Sequence, residues 1–270
     1  MIEALDLART SLESITDFLQ SPPLETVEIY IYPSLPDLQM ALRLTRQEWV
    51  GGQARPDVGV VLLAIPNSEE TIIQMQQYIP HELTHLILYK KMGPQGYAYL
   101  PTWLNEGLAS HFEQRPEAAY AVALEKARNE GDLIPLSILS SPFYSMPTEK
   151  IILAYAESQS VTAYLQQTYG WSAIRALLDA YTDGLDYSQG VEKALNTTLA
   201  KLERDWQVWL EQGTTPEQQT PSPNWTASRI AIREMAPWVF LSLLTILPGL
   251  LMSTNLKKLS SYLTLLEKES

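Results

Sequence analysis

His81-Glu82-Leu83-Thr84-His85 constrains this chain more than any other segment. On an α-helix, positions i and i+4 share a face, so a helix through these residues turns two imidazoles toward one point. Glu82 follows His81 and lies about 100° further around the helix, beside that point rather than in line with it. Met75, Ile79, Leu83, Leu86, Ile87 and Leu88 surround the motif with apolar side chains, which suits a helix packed into a core. The chain has three histidines, and two are here. Taken alone, the pair could also be two histidines on a surface helix.

The rest of the pattern predicts an α+β chain, a small N-terminal sheet followed by a mostly helical part. Residues 1–20 read as an amphipathic helix closed by Ser21-Pro22-Pro23. Residues 27–32 are β-branched and aromatic and read as a strand, as does the apolar run 58–65. Between them a helix is expected over 37–50, with Gly51-Gly52 as its stop. A further helix is expected over 68–91, interrupted by Pro80, with the Gly- and Pro-rich 93–102 as a loop between antiparallel helices. Helices then fill 102–212, broken near Pro116, Gly131, Pro135, Pro142, Pro147, Gly170 and Gly184.

A third ligand decides whether the two histidines are a metal site. Structural knowledge of zinc supplies the rule: three protein ligands hold the ion and a fourth position is left for water, which a neighbouring carboxylate can deprotonate. Trp103-Leu104-Asn105-Glu106-Gly107-Leu108-Ala109 follows His85 across the expected loop. It resembles the W-L-N-E-G-(F/L)-A segment of gluzincin peptidases. The style is nearest to the peptidase MA-like family, with aminopeptidase N-type catalytic domains as more distant relatives. The resemblance implies a zincin-like domain over 1–212 that binds one Zn²⁺ through His81, His85 and Glu106, with Glu82 as general base. Read without it, Glu106 is a carboxylate on a helix surface. The resemblance spans about 75 to 170 and is silent on 1–50 and on the tail.

Tyr155, in Ala154-Tyr155-Ala156-Glu157-Ser158-Gln159-Ser160-Val161, stands where such peptidases carry a tyrosine that donates to the developing oxyanion. With 14 tyrosines in the chain, packing is the competing reading. His111 falls about 140° around the helix from Glu106, which suits a surface position or a supporting one rather than ligation. Asn105 is a candidate to support a ligand. The glutamate with which aminopeptidase N-type enzymes anchor a substrate's amine is missing from 58–67, so endopeptidase activity on a peptide or protein is expected. The strand 58–65 is a candidate edge for pairing with an extended peptide.

A net charge of -12 and the lack of a basic stripe argue against a nucleic-acid partner. The absence of cysteine excludes disulfides, thiol nucleophiles and cysteine zinc ligands. The first twenty residues have neither a basic nor a continuous apolar region and do not read as a leader peptide. Residues 213–228 read as a flexible linker, 236–254 as a transmembrane helix and 255–270 as a short polar tail. Arg229 and Arg233 precede the apolar stretch, and Lys257, Lys258 and Lys268 follow it. That bias predicts an inside tail and an extracytoplasmic catalytic domain. A helix docking on a partner is the alternative for 236–254. A membrane-displayed, catalytically silent peptidase-like binding module is the alternative for the whole.

Overall fold

The computed structural model describes residues 2–43, 51–115, 117–212 and the backbone of 229–234. The expected linker and membrane helix at 213–228 and 236–254, and the tail, lie outside the described residues. Among those described, no helix is long and apolar enough to cross a membrane. The first helix, α1 (Ile2–Leu19), buries Ala4, Ala8, Leu12, Ile15 and Leu19 along one side, the spacing expected of an amphipathic helix.

The sheet has four strands in the order β2-β3-β1-β4. β1 (Thr26–Tyr32) runs parallel to both β3 (Val60–Ala64) and β4 (Arg229–Glu234), and β2 (Gly52–Arg55) is antiparallel to β3. The register places Ile29 beside Val61 and Ile31 beside Leu63, so one face of β1 and β3 buries all four. The run at 58–65 is therefore an interior strand and not the expected edge. Its neighbours satisfy its backbone on both sides, and among the described strands the outer ones are β2, on its own side, and β4. β4 was not anticipated either, because its residues read as the basic flank of the apolar stretch.

Residues 35–50 also depart from expectation. α2 spans Leu35–Leu42: the Ser34 side chain accepts from Asp37 N–H to cap its start, and Arg43 adopts a left-handed conformation at its end. Residues 44–50 lie outside the described part. Gly51-Gly52 opens onto β2 rather than stopping a helix.

The helices pack beneath this sheet. α3 (Thr71–Tyr99) runs past the expected end at 91, turning at Gly93, whose φ is 70°. Helical residues thus fill most of the expected 93–102 loop, and Leu100-Pro101 suffices to join α4 (Thr102–His111). α5 (Ala118–Glu130), α6 (Leu136–Leu139), α7 (Thr148–Thr182), α8 (Tyr187–Leu195) and α9 (Leu199–Glu211) follow. Their breaks fall at the expected glycines and prolines: Gly131 caps α5 in a left-handed conformation, Pro135 and Pro147 precede α6 and α7, and Gly170 (φ 76°) turns α7. α4 lies against α7 at Gly107, where a methyl group would stand 2.3 Å from the Ser158 carbonyl oxygen and from Thr162 Oγ1. That spacing accounts for the glycine after Glu106 and brings Tyr155 of α7 toward the same region.

Candidate metal centre

His81 and His85 project from successive turns of α3, and Glu106 from α4. Glu106 Oε2 lies 3.3 Å from His81 Nε2 and 3.7 Å from His85 Nε2. One ligand atom from each residue falls within 4.8 Å of the others. All three side chains are largely buried, at 14, 10 and 16 % exposure.

The other ring nitrogens are held. His81 Nδ1 meets Glu113 Oε1 at 2.8 Å, and His85 Nδ1 meets Asn105 Oδ1 at 3.0 Å. Asn105 Nδ2 donates to Tyr97 Oη at 3.1 Å, so its amide oxygen faces the imidazole as an acceptor. An ionised carboxylate also only accepts. Each Nδ1 therefore carries a hydrogen, and each Nε2 is the nitrogen that faces Glu106 and would give its lone pair to a cation there.

Glu113 is held in place through Pro80. Proline has no N–H, so the carbonyl of Gln76, four residues earlier, loses its helical partner. That carbonyl instead accepts from Gln114 N–H at 3.0 Å. The expected interruption of α3 does not occur, because the orphaned group is satisfied from outside the helix. The borrowed bond fixes Gln114, and with it Glu113, beside His81.

Charge in the cluster is finely balanced. Burial disfavours an imidazolium at His81, but Glu106 and Glu113 against its nitrogens outweigh burial and hold its pKa well above the imidazole range. Burial would raise Glu106, yet His85 and His81 keep it below the usual carboxylate range. Burial raises Glu82, with His81 and His85 opposing. Glu106 Oε2 is buried and accepts no hydrogen bond of good geometry, despite the two nearby nitrogens. A buried carboxylate oxygen without a partner is costly, and a cation between it and two imidazole lone pairs removes that cost. Two nitrogens and one oxygen are a donor set that suits zinc and leaves a position open.

Residues 8–212 match the Peptidase MA superfamily. The chain belongs to that superfamily. The matched span contains the whole cluster together with most of α1, the first three strands and α2 to α9. The chain thus has a peptidase-like fold, as the W-L-N-E-G resemblance implied. No match is found among curated proteins.

Within this Peptidase MA fold, Glu82 is 7 % exposed and points toward β2. The Tyr155 ring centroid is 6.3 Å from that of His81, with Tyr120 and Phe143 on its other sides. Burial, then Glu106 and Tyr120, push the Tyr155 phenol well above its ordinary pKa, so it remains a donor. His111 packs against aromatic rings rather than standing open to solvent. It is half-buried, meets Phe112 and Trp171 edge-on, and burial lowers its pKa to about 4. Sequence reasoning missed Glu113 and Tyr120. Glu113 lies seven residues past Glu106, beyond the end of α4, where helical periodicity gives no direction.

Proposed function

We propose that this chain is a zinc-dependent endopeptidase in which His81, His85 and Glu106 hold one zinc ion, Glu82 is the general base and Tyr155 donates to the developing oxyanion. One observation carries the reading: both Nδ1 atoms are tied down, so two imidazole Nε2 atoms and a buried carboxylate oxygen converge on one point. When bound, zinc supplies Lewis acidity, making a water more acidic and a peptide carbonyl more electrophilic. Glu82 takes the proton from the attacking water and returns it to the leaving nitrogen. Its raised pKa brings it nearer the operating range of a proton carrier than a solvated carboxylate would be. Tyr155 keeps its hydrogen and offers it to the carbonyl oxygen as charge builds there. The outer edge of β2, at the Gly52 backbone and the Ala54 carbonyl, takes over from 58–65 as the candidate for pairing with an extended substrate. No feature of the site favours a catalytically silent binding module, since every motif residue meets at the cluster.

The test is zinc content and peptide hydrolysis measured together. Glu82→Gln is expected to keep about one zinc per chain and lose about 10³-fold or more in turnover. Glu106→Ala is expected to lose the zinc. A zinc-free wild type after reconstitution, or an active Glu82→Gln, would sink the reading.

The proposal extends to a single membrane span at 236–254 tethering an extracytoplasmic domain, on the strength of the apolar run and its flanking charges. Because β4 pairs with β1, a soluble form must end at Glu234 rather than before Arg229. The full chain should resist alkaline extraction from membranes and the form ending at Glu234 should not. Equal extraction of both would remove the span.

A further inference from the structure

β2 is pressed against α3 at its two glycines. A methyl group on Gly51 would lie 2.7 Å from the Tyr78 ring, and one on Gly52 would lie 2.7 Å from Glu82 Oε1 and 2.9 Å from Leu63. Tyr78 and Glu82 are one helical turn apart, so the pair follows the surface of α3.

The register determines which backbone groups of β2 are free. Ala64 N–H donates to the Gly51 carbonyl at 2.9 Å, and Gln53 and Arg55 face Leu62 and Val60. In an antiparallel pair, hydrogen-bonded positions alternate with non-bonded ones. Gly51, Gln53 and Arg55 therefore bond to β3, while Gly52 and Ala54 turn their N–H and C=O groups to the open edge. There the Ala54 N–H donates to the Glu82 carboxylate.

We propose that β2 positions the general base: Ala54 holds the Glu82 carboxylate through its free N–H, and Gly52 leaves the space that the carboxylate occupies. The role given to Glu82 rests on the peptidase reading; the contact itself does not. Gly51-Gly52 is thus a packing requirement of the site. Ala54 and Gly52 are positioning residues and touch no reacting atom.

The test reads amide exchange residue by residue in the full chain, beside zinc content and steady-state peptide hydrolysis. An open-edge amide exchanges fast unless something accepts its hydrogen. Ala54 is expected to be protected about ten-fold or more in the wild type. Glu82→Ala should abolish that protection, and Glu82→Gln, which retains an acceptor, should keep most of it. Gln53 and Arg55 should not change in either variant.

Gly52→Ala is expected to lose the Ala54 protection and about 10²-fold in kcat, with zinc content and KM unchanged. Ala54→Pro guards against a simple folding defect in Gly52→Ala. It removes the free N–H, takes no bond from the ladder and leaves Gly52 in place, with its ring Cδ where the hydrogen facing Glu82 had been. It should lower kcat in the same way. Ala54 exchange indifferent to Glu82→Ala overturns the proposal, as does full kcat in both Gly52→Ala and Ala54→Pro. A wild type that shows the expected exchange pattern but cleaves no peptide upholds the contact and sinks the peptidase reading instead.

Discussion

His81 has a carboxylate at each ring nitrogen, and the two have different tasks. Glu106 shares the point that Nε2 faces, whereas Glu113 holds the Nδ1 hydrogen and so sets which nitrogen is free. On His85, Asn105 has the task of Glu113, steadied by Tyr97. Removing such a partner leaves every ligand in place but lets the ring turn and makes it less basic. Glu113→Ala is expected to weaken zinc binding about 10- to 100-fold, read by competition with a chelator of known affinity. Wild-type affinity in that variant would mean that α3 alone orients the imidazole. The proposed ligands themselves could be found from spacing and resemblance. Glu113 could not, because the chain leaves the helix at Phe112 and bonds to a distant segment, Gln114 and Arg115 to Gln76, set where the next residues go.

At the scale of the element, Pro80 shows how a helix breaker can serve a site without breaking the helix. Proline in a helix interior ordinarily costs about 3 kcal/mol, partly through the carbonyl it orphans. Here the Gln76 carbonyl is taken up by Gln114. Pro80→Ala restores an N–H that competes for Gln76 and frees Gln114. The metal-free protein should unfold at the same temperature or higher, while zinc affinity falls about 10-fold as Glu113 loosens. Paired thermal melts and zinc titrations check this. A variant that is merely destabilised, with affinity intact, would show that the carbonyl bond does not govern Glu113. Most element ends were legible, since Gly131, Pro135, Pro147 and Gly170 act locally through φ and missing N–H groups. Gly51-Gly52 misled because glycine marks close backbone approach as well as helix ends, and only the neighbour decides which.

Across the whole molecule, one buried acid outside the site ties distant segments together. Glu157 of α7 is fully buried and accepts from Ile134 N–H with both oxygens, at 2.9 and 3.2 Å. Burial raises its pKa from 4.5 to about 8, although the Ile134 N–H and Lys150 pull the other way. The folded chain therefore keeps a proton that the unfolded chain gives up above its own lower pKa. This group's contribution is fully present below pH 4.5, declines as pH rises toward about 8, and is flat beyond. Glu157→Gln, neutral throughout and still able to accept from Ile134, should flatten that part of the decline. Denaturant midpoints for both proteins at about pH 5.5 and about pH 8.5 measure it. Equal slopes would show that Glu157 ionises freely in the fold. By itself the sequence determined the features set by bonds within a few residues: helix faces, their breaks, and two imidazoles four positions apart. The W-L-N-E-G likeness added Glu106 and the superfamily. Only the tertiary structure decided which strands are the edges, that β4 joins the sheet from beyond residue 228, and that Glu113 and Ala54 stand beside His81 and Glu82. Those contacts join segments far apart in the chain, and no local pattern encodes a partner that arrives only when helices and sheet close on one another.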